Sequence, residues 1–296
     1  MSAEIPDPRS LAPAATAAAL RFKLSSLFPD TDHRFHLGLQ RGSIENFFGP
    51  WQHPPDLLRQ RTHWLKNFPT TYAALHPDGI PLLHETIRLL KAGGMVLQSP
   101  SDFDEASAHQ HLLATGCGLE PDFLLLKREE SDPHRLVGGA VCFPSSWSLE
   151  EKMGHTIDFI HAPVPGLNAQ LGHSITAFLQ RLAPGHAWLR YNWGLTRSPE
   201  LNHHPARQLP RLDASVTTGE IFLRVEHQAL VALPETRGIL FAIRVTVHPI
   251  AEVLSQPSAA SGLRRALISM SDDVAAYKGL ASARTTLILM LDTPGV

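Results

Sequence analysis

The sequence predicts an α+β protein in which helices cross one face of a five-stranded antiparallel sheet. Two strand-like runs, 122–127 and 136–143, are joined by a polar turn and therefore predict a hairpin. An amphipathic helix follows at 168–182. Three more strand-like runs come next, at 186–193, 221–227 and 239–248. The last run alternates apolar residues with others, which is the period of a half-buried strand.

The residues before this sheet predict a helical N-terminal part. Residues 1–32 are expected to be disordered or loosely docked, since the start of the chain is rich in Ala and Pro. Residues 33–120 contain candidate helices at 56–67 and 81–91, both with apolar residues at helical spacing, and a third at 101–115.

The residues after the sheet predict two more helices, at 263–277 and 282–291. We expect residues 251–296 to pack on a core formed by residues 121–250. The order within that core, a hairpin followed by helices and three strands, is that of a PAS-type domain. Such a fold holds a ligand between its sheet and its helices, but the order of elements does not define a function.

The composition narrows the classes of function. The chain has 296 residues and a net charge of −2, which gives no reason to expect binding to nucleic acid. Its apolar runs are short and interrupted by charges, so no transmembrane helix is predicted. The start of the chain lacks the features of a secretory signal. The only two cysteines, Cys117 and Cys142, predict no disulfide framework, and we expect a cytoplasmic protein.

The sequence also lacks the common motifs for cofactors and nucleophiles. It contains no phosphate loop, no G-x-G-x-x-G, no G-x-S-x-G and no H-E-x-x-H. The chain therefore shows no sign of an NAD(P) or FAD site of its own. The absence of C-x-x-C-H means that any haem would be bound without a covalent bond.

One stretch, F-P-S-S-W-S-L-E-E-K-M-G-H-T-I-D-F-I-H-A-P-V-P at 143–165, combines a capping signal with a rigid turn. Ser148 and Glu151 fit a capping box, and Gly154 can end a helix of about one turn. His161 comes just before the two prolines of residues 163–165, which restrict the backbone. This rigidity suits a histidine that ligates or catalyses. The alternative is a proline-rich connection around a buried, hydrogen-bonded histidine.

The strand L-R-V-E-H-Q at 223–228 carries the second candidate group. Arg224 and Glu226 share one face of a regular strand, and His227 faces the other side. The two charges form either a surface pair or an inward pair that orients a polar substrate. An iron site built from His161, Glu226 and His227 is disfavoured, because residues 226 and 227 point to opposite faces.

Two other features have simple structural interpretations. The stretch R-Y-N-W at 190–193 is typical of a strand end with a tryptophan in the core. A thiolate-ligated haem on Cys117 or Cys142 is disfavoured, because a single strand cysteine without a supporting motif usually belongs to the core.

Taken together, five motifs resemble the haem-dependent oxidative N-demethylase alpha-subunit-like family. They are W-S-L-E-E-K-M-G, I-H-A-P-V-P, R-Y-N-W, L-R-V-E-H-Q-A-L-x-x-L-P and L-F-A-I-R, and the resemblance extends from about residue 37 to residue 291. It implies oxidative removal of a methyl group from a small secondary amine such as dimethylamine. It further implies a b-type haem in a PAS-like domain, dioxygen as oxidant, and electrons from a flavin and iron–sulfur reductase that uses NADPH.

The resemblance also implies roles for individual residues. His161 is expected to ligate the haem iron. Arg224 and Glu226 are expected on the distal side, where a carboxylate binds an ammonium group and an arginine holds a propionate or polarises bound oxygen. Other contacts to the cofactor are expected from Lys152, Arg190, Asn192, Trp193 and Arg244.

The chain departs from the family pattern at two positions. The family strand usually reads E-R-Q where residues 226–228 read E-H-Q, and F-T-I-R where residues 241–244 read F-A-I-R. Loss of an arginine near the pocket would change the charge there, so the identity of the amine stays open. The alternative functions are a haem-binding sensor or gas-binding module without turnover, and a PAS-like ligand-binding protein without haem.

Overall fold

A seven-stranded antiparallel sheet is the centre of the computed structural model, which describes residues 23–51, 56–97, 103–129 and 134–292. The strands are β1 (Gln40–Gly42), β2 (Ala73–Leu75), β3 (Asp122–Lys127), β4 (Arg135–Ala140), β5 (Ala187–Thr196), β6 (Phe222–Ala232) and β7 (Ile239–Pro249). Their order across the sheet is β1-β5-β6-β7-β3-β4-β2. The prediction of five strands was therefore incomplete. The five expected strands are adjacent at the centre, and β1 and β2 extend the two edges.

The register of β5, β6 and β7 defines the two faces of the sheet. Asn192, Glu226 and Val245 are aligned across the three strands, so their side chains share one face, here called the Glu226 face. Tyr191, one residue before Asn192 on β5, is aligned with His227, one residue after Glu226 on β6. They lie on the opposite face, here called the His227 face.

The helices of the described residues are α1 (Leu24–Leu27), α2 (Ile44–Phe48), α3 (Asp56–Asn67), α4 (Pro69–Tyr72), α5 (Ile80–Ala92), α6 (Ala108–Gly118), α7 (Ile157–His161), α8 (Leu167–Arg181), α9 (Ile250–Leu254), α10 (Pro257–Ser269), α11 (Asp272–Tyr277) and α12 (Arg284–Asp292). The predictions at 56–67, 81–91 and 168–182 are confirmed within a residue or two. The helix predicted at 263–277 is two helices, because the chain is extended at Met270 and Ser271 caps a new helix by accepting from the Val274 amide.

The predicted one-turn helix at 148–154 is a hydrogen-bonded turn. The Ser148 hydroxyl accepts from the Glu151 amide at 3.4 Å, and Gly154 adopts a left-handed φ of 77° as expected. The helix that bears His161 begins only afterwards. Thr156 caps it by accepting from the Phe159 amide at 3.4 Å.

Helices cover both faces of the sheet. On the Glu226 face, Phe178 of α8 packs edge-on against Trp188 of β5, four residues before Asn192 and therefore on the same face. The N-terminal helices reach the His227 face, where Arg244 donates to the carbonyl of Phe47 in α2. The C-terminal helices bury a separate apolar cluster that includes Val225 of β6. The predicted helical layer over one face is thus α7 and α8, and the terminal helices pack behind the sheet.

The beginning of the described chain is well packed. Leu24 and Phe28 are buried in the cluster of the C-terminal helices, with 1% and 2% of their surface exposed. Residues 1–22, which form most of the segment expected to be disordered, and the predicted turn at 131–133 lie outside the described residues. Within the part of the chain that the structure covers, no helix has the length and apolarity needed to span a bilayer.

Candidate functional site

Glu226 is a buried carboxylate whose described partners are all uncharged. Only 7% of its surface is exposed. Its Oε1 accepts from the Ser145 hydroxyl at 2.5 Å. Its Oε2 accepts from Gln228 Nε2 at 2.8 Å and from Asn192 Nδ2 at 3.2 Å. These three donors compensate for the loss of water, but none of them neutralises the charge. The carboxylate can therefore still bind a cation.

Arg224 lies on the same face but does not pair directly with Glu226. Its Nε donates to Ser145 Oγ at 2.8 Å, so that one hydroxyl bridges the two charged groups. Its two Nη atoms donate to backbone carbonyls, the shortest bond being 2.7 Å to Phe143 O. Burial lowers the pKa of Arg224 to about 10, and Glu226 opposes that shift. With 4% of Arg224 exposed, the surface-pair alternative is wrong.

Arg190 is the unpaired cation of this face. It is aligned with Gln228 and therefore points to the same side as Glu226. It makes no hydrogen bond or ion pair with any described residue, and its Nε is inaccessible to water. Burial lowers the pKa of Arg190, and the nearby Glu226 carboxylate opposes this effect. Arg190 is half-buried, and of its three nitrogens only Nε is both inaccessible and without a described partner.

His161 ends α7 and lies close to Arg190 and Lys152. Burial lowers its pKa to about 4, and the positive charges of Arg190 and Lys152 lower it further, while Asp158 opposes the shift. The ring is therefore neutral at pH 7, which is the form that binds metals. Its Nδ1 is buried and has no hydrogen-bond partner in the described structure. The alternative of a hydrogen-bonded core histidine is thus not what the structure shows.

Open space lies over this part of the Glu226 face. Gly194, which is aligned with Arg224, has no atom within 4 Å of the position where a Cβ would lie. Asn192, on the same face, is exposed. Protein interiors are normally close-packed. Arg190, Asn192 and Gly194 therefore leave this stretch of the Glu226 face open to a ligand.

A comparison with protein families identifies the family of the chain. Residues 57–288 match the model of the family described as "Haem-dependent oxidative N-demethylase, alpha subunit-like". The chain belongs to this family. The match covers the motif at 143–165, both charged strands and most of the C-terminal helices. The family description implies a haem cofactor and an oxidative reaction.

The residues of this family member fit a haem. Haem iron takes a neutral imidazole as an axial ligand, and burial keeps His161 neutral, with an Nδ1 that has no partner among the described residues. Haem carries two propionate carboxylates, and Arg190 is a half-buried cation that has no anion partner among the described residues. Val245 and Val247 continue the Glu226 face with apolar side chains that suit a porphyrin. The two other histidines considered from sequence differ, since His155 is exposed and stacked on Phe159 and His227 lies on the opposite face.

The structure does not bring all the expected cofactor residues together. Arg190 and Asn192 lie on the Glu226 face, and the charges of Arg190 and Lys152 act on His161. Trp193 and Arg244 lie on the His227 face, Trp193 packed edge-on against Phe28. Arg244 is 2% exposed, donates to the carbonyls of Phe47 and Gly49, forms an ion pair with Glu120, and stacks on Trp51.

His227 is also remote from the charges of the Glu226 face. Its Nε2 lies 3.0 Å from Thr246 Oγ1, and its ring meets Trp51 and Tyr191 edge-on. The family usually has an arginine at the position of His227, and the sequence analysis expected that arginine near the pocket. Position 227, however, faces away from Glu226. The histidine in E-H-Q therefore leaves the charge of the Glu226 face unchanged.

The sequence analysis did not identify the residues outside the site that fix the loop bearing Ser145. Asp122 is 1% exposed and accepts from Arg61 Nη1 at 2.5 Å and from the amides of Cys142 and Phe143 at 2.7 and 2.9 Å. These bonds fix the loop that brings Ser145 to Glu226. Ser145 lies in the motif at 143–165, so its position was a usable signal, whereas nothing local marks Asp122 as its support.

Cys142 is not a candidate ligand for iron. It is fully buried, and its Sγ lies 3.9 Å from the carbonyl of Arg61. Burial raises the pKa of the thiol to about 12, so the thiolate that would bind haem iron is not formed at pH 7. Cys117 and Cys142 are both free thiols, in agreement with the prediction of no disulfide framework.

Proposed function

We propose that this chain is the haem-binding, catalytic subunit of an enzyme that oxidatively removes a methyl group from a small secondary amine such as dimethylamine. The observation that carries the proposal is Glu226, a buried carboxylate that has only neutral hydrogen-bond donors among the described residues. A secondary amine is protonated at pH 7. The pocket therefore offers the amine one charged acceptor next to the expected metal ligand.

The cofactor in this proposal is a haem b held without a covalent bond. Its iron would be ligated by His161, and its porphyrin would lie between the Glu226 face and the α7–α8 layer. The central strand order β5-β6-β7-β3-β4 supports the proposal, because it is the order of a PAS domain. When bound, the haem would supply activation of dioxygen.

The other residues of the face have separate roles. Glu226 binds the ammonium group of the substrate and orients the methyl group. Arg224 holds the Ser145 loop through its bonds to Ser145 and to the carbonyl of Phe143, so it acts as a positioning residue. This differs from the direct contact with propionate or oxygen expected from the sequence. Asn192 and Gln228 orient the Glu226 carboxylate by donating to its Oε2.

The electrons would come from a partner chain. The sequence carries no dinucleotide fingerprint and no cysteine cluster for an iron–sulfur centre. A flavin and iron–sulfur reductase that uses NADPH is the expected donor, in the cytoplasm. The words "alpha subunit" in the family description support the presence of further subunits.

The proposal is tested with the haem-loaded chain, a flavin and iron–sulfur reductase, NADPH and dimethylamine. The expected result is NADPH oxidation that depends on dimethylamine, with formaldehyde formed in equal amount. A protein that binds haem and is reduced, but that never consumes amine, would instead be a haem sensor. A protein without a Soret band after incubation with haem would contradict the haem proposal itself.

A further inference from the structure

Gly194, in the second half of β5, is a glycine that neither the backbone nor the packing of the described residues requires. Its φ is not in the left-handed region, and a Cβ added to it would meet no atom within 4 Å. The glycines of β4 differ in this respect. A Cβ on Gly138 would lie 2.7 Å from Leu75 Cδ1, and one on Gly139 would lie 2.5 Å from the carbonyl oxygen of Phe123. Close packing therefore explains those two glycines, and it does not explain Gly194.

A glycine in the interior of a strand has a cost that something must offset. It loses more conformational freedom on folding than any other residue, and it has no side chain to pack. Such glycines usually mark a bulge, a tight bend or a place where a ligand or another backbone approaches closely. β5 has no bulge here, because its pairing with β6 runs without a shift from Ala187 to Thr196. The remaining explanation is the close approach of a ligand.

The position of Gly194 places that approach on the Glu226 face. Gly194 is aligned with Arg224 of β6, which is aligned with Val247 of β7. The Arg224 guanidinium does not fill the space beside Gly194, because it is bonded to Ser145 Oγ at 2.8 Å and to the carbonyl of Phe143 at 2.7 Å. The backbone of β5 is therefore accessible at this point of the face.

The distance from Glu226 indicates which part of the site lies over Gly194. Glu226 is aligned with Asn192, so Gly194 is its diagonal neighbour. The Cβ positions of diagonal neighbours in an antiparallel pair are about 7–8 Å apart. A small amine held by the Glu226 carboxylate is too short to lie against Gly194. A porphyrin is flat and wide enough to cover neighbouring strands, and Val247 adds an apolar side chain to the same row.

We propose that the porphyrin ring of the haem packs directly against Gly194, and that the missing side chain at this position makes room for the ring. This inference rests on the proposed function. The role of Gly194 is steric, since any side chain at position 194 would occupy the place of the ring. A larger residue should therefore have opposite effects on the stability of the apo-protein and on its affinity for haem.

The test fills the space in two steps, with Gly194→Ala and Gly194→Val. Gly219→Val is the matched control, because Gly219 is exposed, has no left-handed φ and also has no atom within 4 Å of an added Cβ. The full-length apo-protein is titrated with haem, followed by Soret absorbance, and with metal-free protoporphyrin IX, followed by fluorescence. Circular dichroism gives the melting temperature of each apo-protein.

We expect Gly194→Val to raise the melting temperature of the apo-protein by about 1–3 °C, because valine favours a strand and meets no clash there. The same variant should bind haem about tenfold more weakly or worse, as expected when extra atoms are forced into a packed contact. Protoporphyrin IX should lose affinity by a similar factor, since the contact is with the ring and not with the iron. Gly194→Ala should show a smaller loss, and Gly219→Val should change neither affinity.

Three results would overturn this role while leaving the proposed function intact. A wild-type haem affinity in Gly194→Val would mean that the ring does not lie over Gly194. A lower melting temperature together with weaker binding in both variants would mean that the fold itself requires the glycine. A loss for haem without a loss for protoporphyrin IX would mean that the change acts on the iron ligand.

Two further outcomes are also decided by this design. If Gly194→Val does not fold, Gly194→Ala decides the question by the same comparison. A wild-type chain that binds neither haem nor protoporphyrin IX would refute the proposed function and the role of Gly194 together.

Discussion

Replacing Glu226 with Gln tests the amine pocket most directly, because the change removes a charge and keeps the shape. In the structure the carboxylate accepts one bond from Ser145 and two from the amides of Asn192 and Gln228. A glutamine retains one acceptor oxygen, which can face the two amides. The new NH₂ group of the glutamine then faces Ser145. The Ser145 hydroxyl must rotate so that its oxygen accepts a hydrogen bond from this group.

The magnitudes for stability and for binding differ. Ser145 already accepts from Arg224 Nε, so the rearrangement should cost about one net hydrogen bond, roughly 1 kcal/mol of unfolding free energy. An ammonium on Glu226 would make a charged hydrogen bond, worth about 1.5–3 kcal/mol. Its loss corresponds to amine binding weakened by roughly 10- to 150-fold.

The assay is a spectral titration of the haem-loaded protein with dimethylamine, together with urea unfolding. We expect Glu226→Gln to bind haem normally and to bind the amine weakly. Glu105→Gln, the same change at an exposed position, should alter neither quantity. Equal amine affinities for Glu226→Gln and the wild type would remove Glu226 from the substrate site. A parallel loss of haem affinity would show that the carboxylate supports the pocket as a whole.

Four further predictions address the cofactor and the framework. His161→Ala should lose the wild-type Soret spectrum while His155→Ala keeps it, and an unchanged spectrum in His161→Ala would remove that residue as iron ligand. NADPH alone should not reduce the haem anaerobically, and rapid reduction without a partner would contradict the need for a reductase. Asp122→Asn should lower the unfolding free energy in urea by about 3–5 kcal/mol, since it breaks a buried ion pair with Arg61, and a loss below about 1 kcal/mol would disagree with that role. Burial and the charge of Arg224 lower the pKa of His203 to about 3. Between pH 6.5 and pH 3 the unfolded chain therefore binds a proton that the folded chain does not, and stability falls as the pH is lowered. His203→Gln should make the melting temperature depend less on pH in this range, and an unchanged slope would refute the assignment.

Local patterns in the sequence were sufficient for the regular elements near the site. The alternation along 239–248 predicted β7, and the apolar spacing at 168–182 predicted α8, within one residue at each end. The same period of two placed Arg224 and Glu226 on one face and His227 on the other, as the register shows. These inferences succeed because strand and helix periodicity depends only on neighbours along the chain.

Periodic patterns in the sequence did not predict the short strands or the break between two helices. β1 and β2 contain three residues each, which is too few for an alternation to be recognised. The break between α10 and α11 depends on one extended residue and one capping hydroxyl inside an otherwise continuous apolar stripe. The helix carrying His161 was expected to be a turn, because none of its residues is buried and its pattern is therefore weak.

By itself, the sequence determined an α+β fold, a histidine beside two prolines, and a strand that carries an arginine and a carboxylate on one face. Only the tertiary structure decided which groups meet. Asn192 and Arg190 lie on the Glu226 face while Trp193 lies on the opposite face, and packing decides which face α8 covers. Lys278 of the C-terminal helices reaches the edge of β5 across 85 residues of sequence through its bond to the carbonyl of Trp193. Contacts of this kind depend on how distant elements pack together, and no local period records that packing.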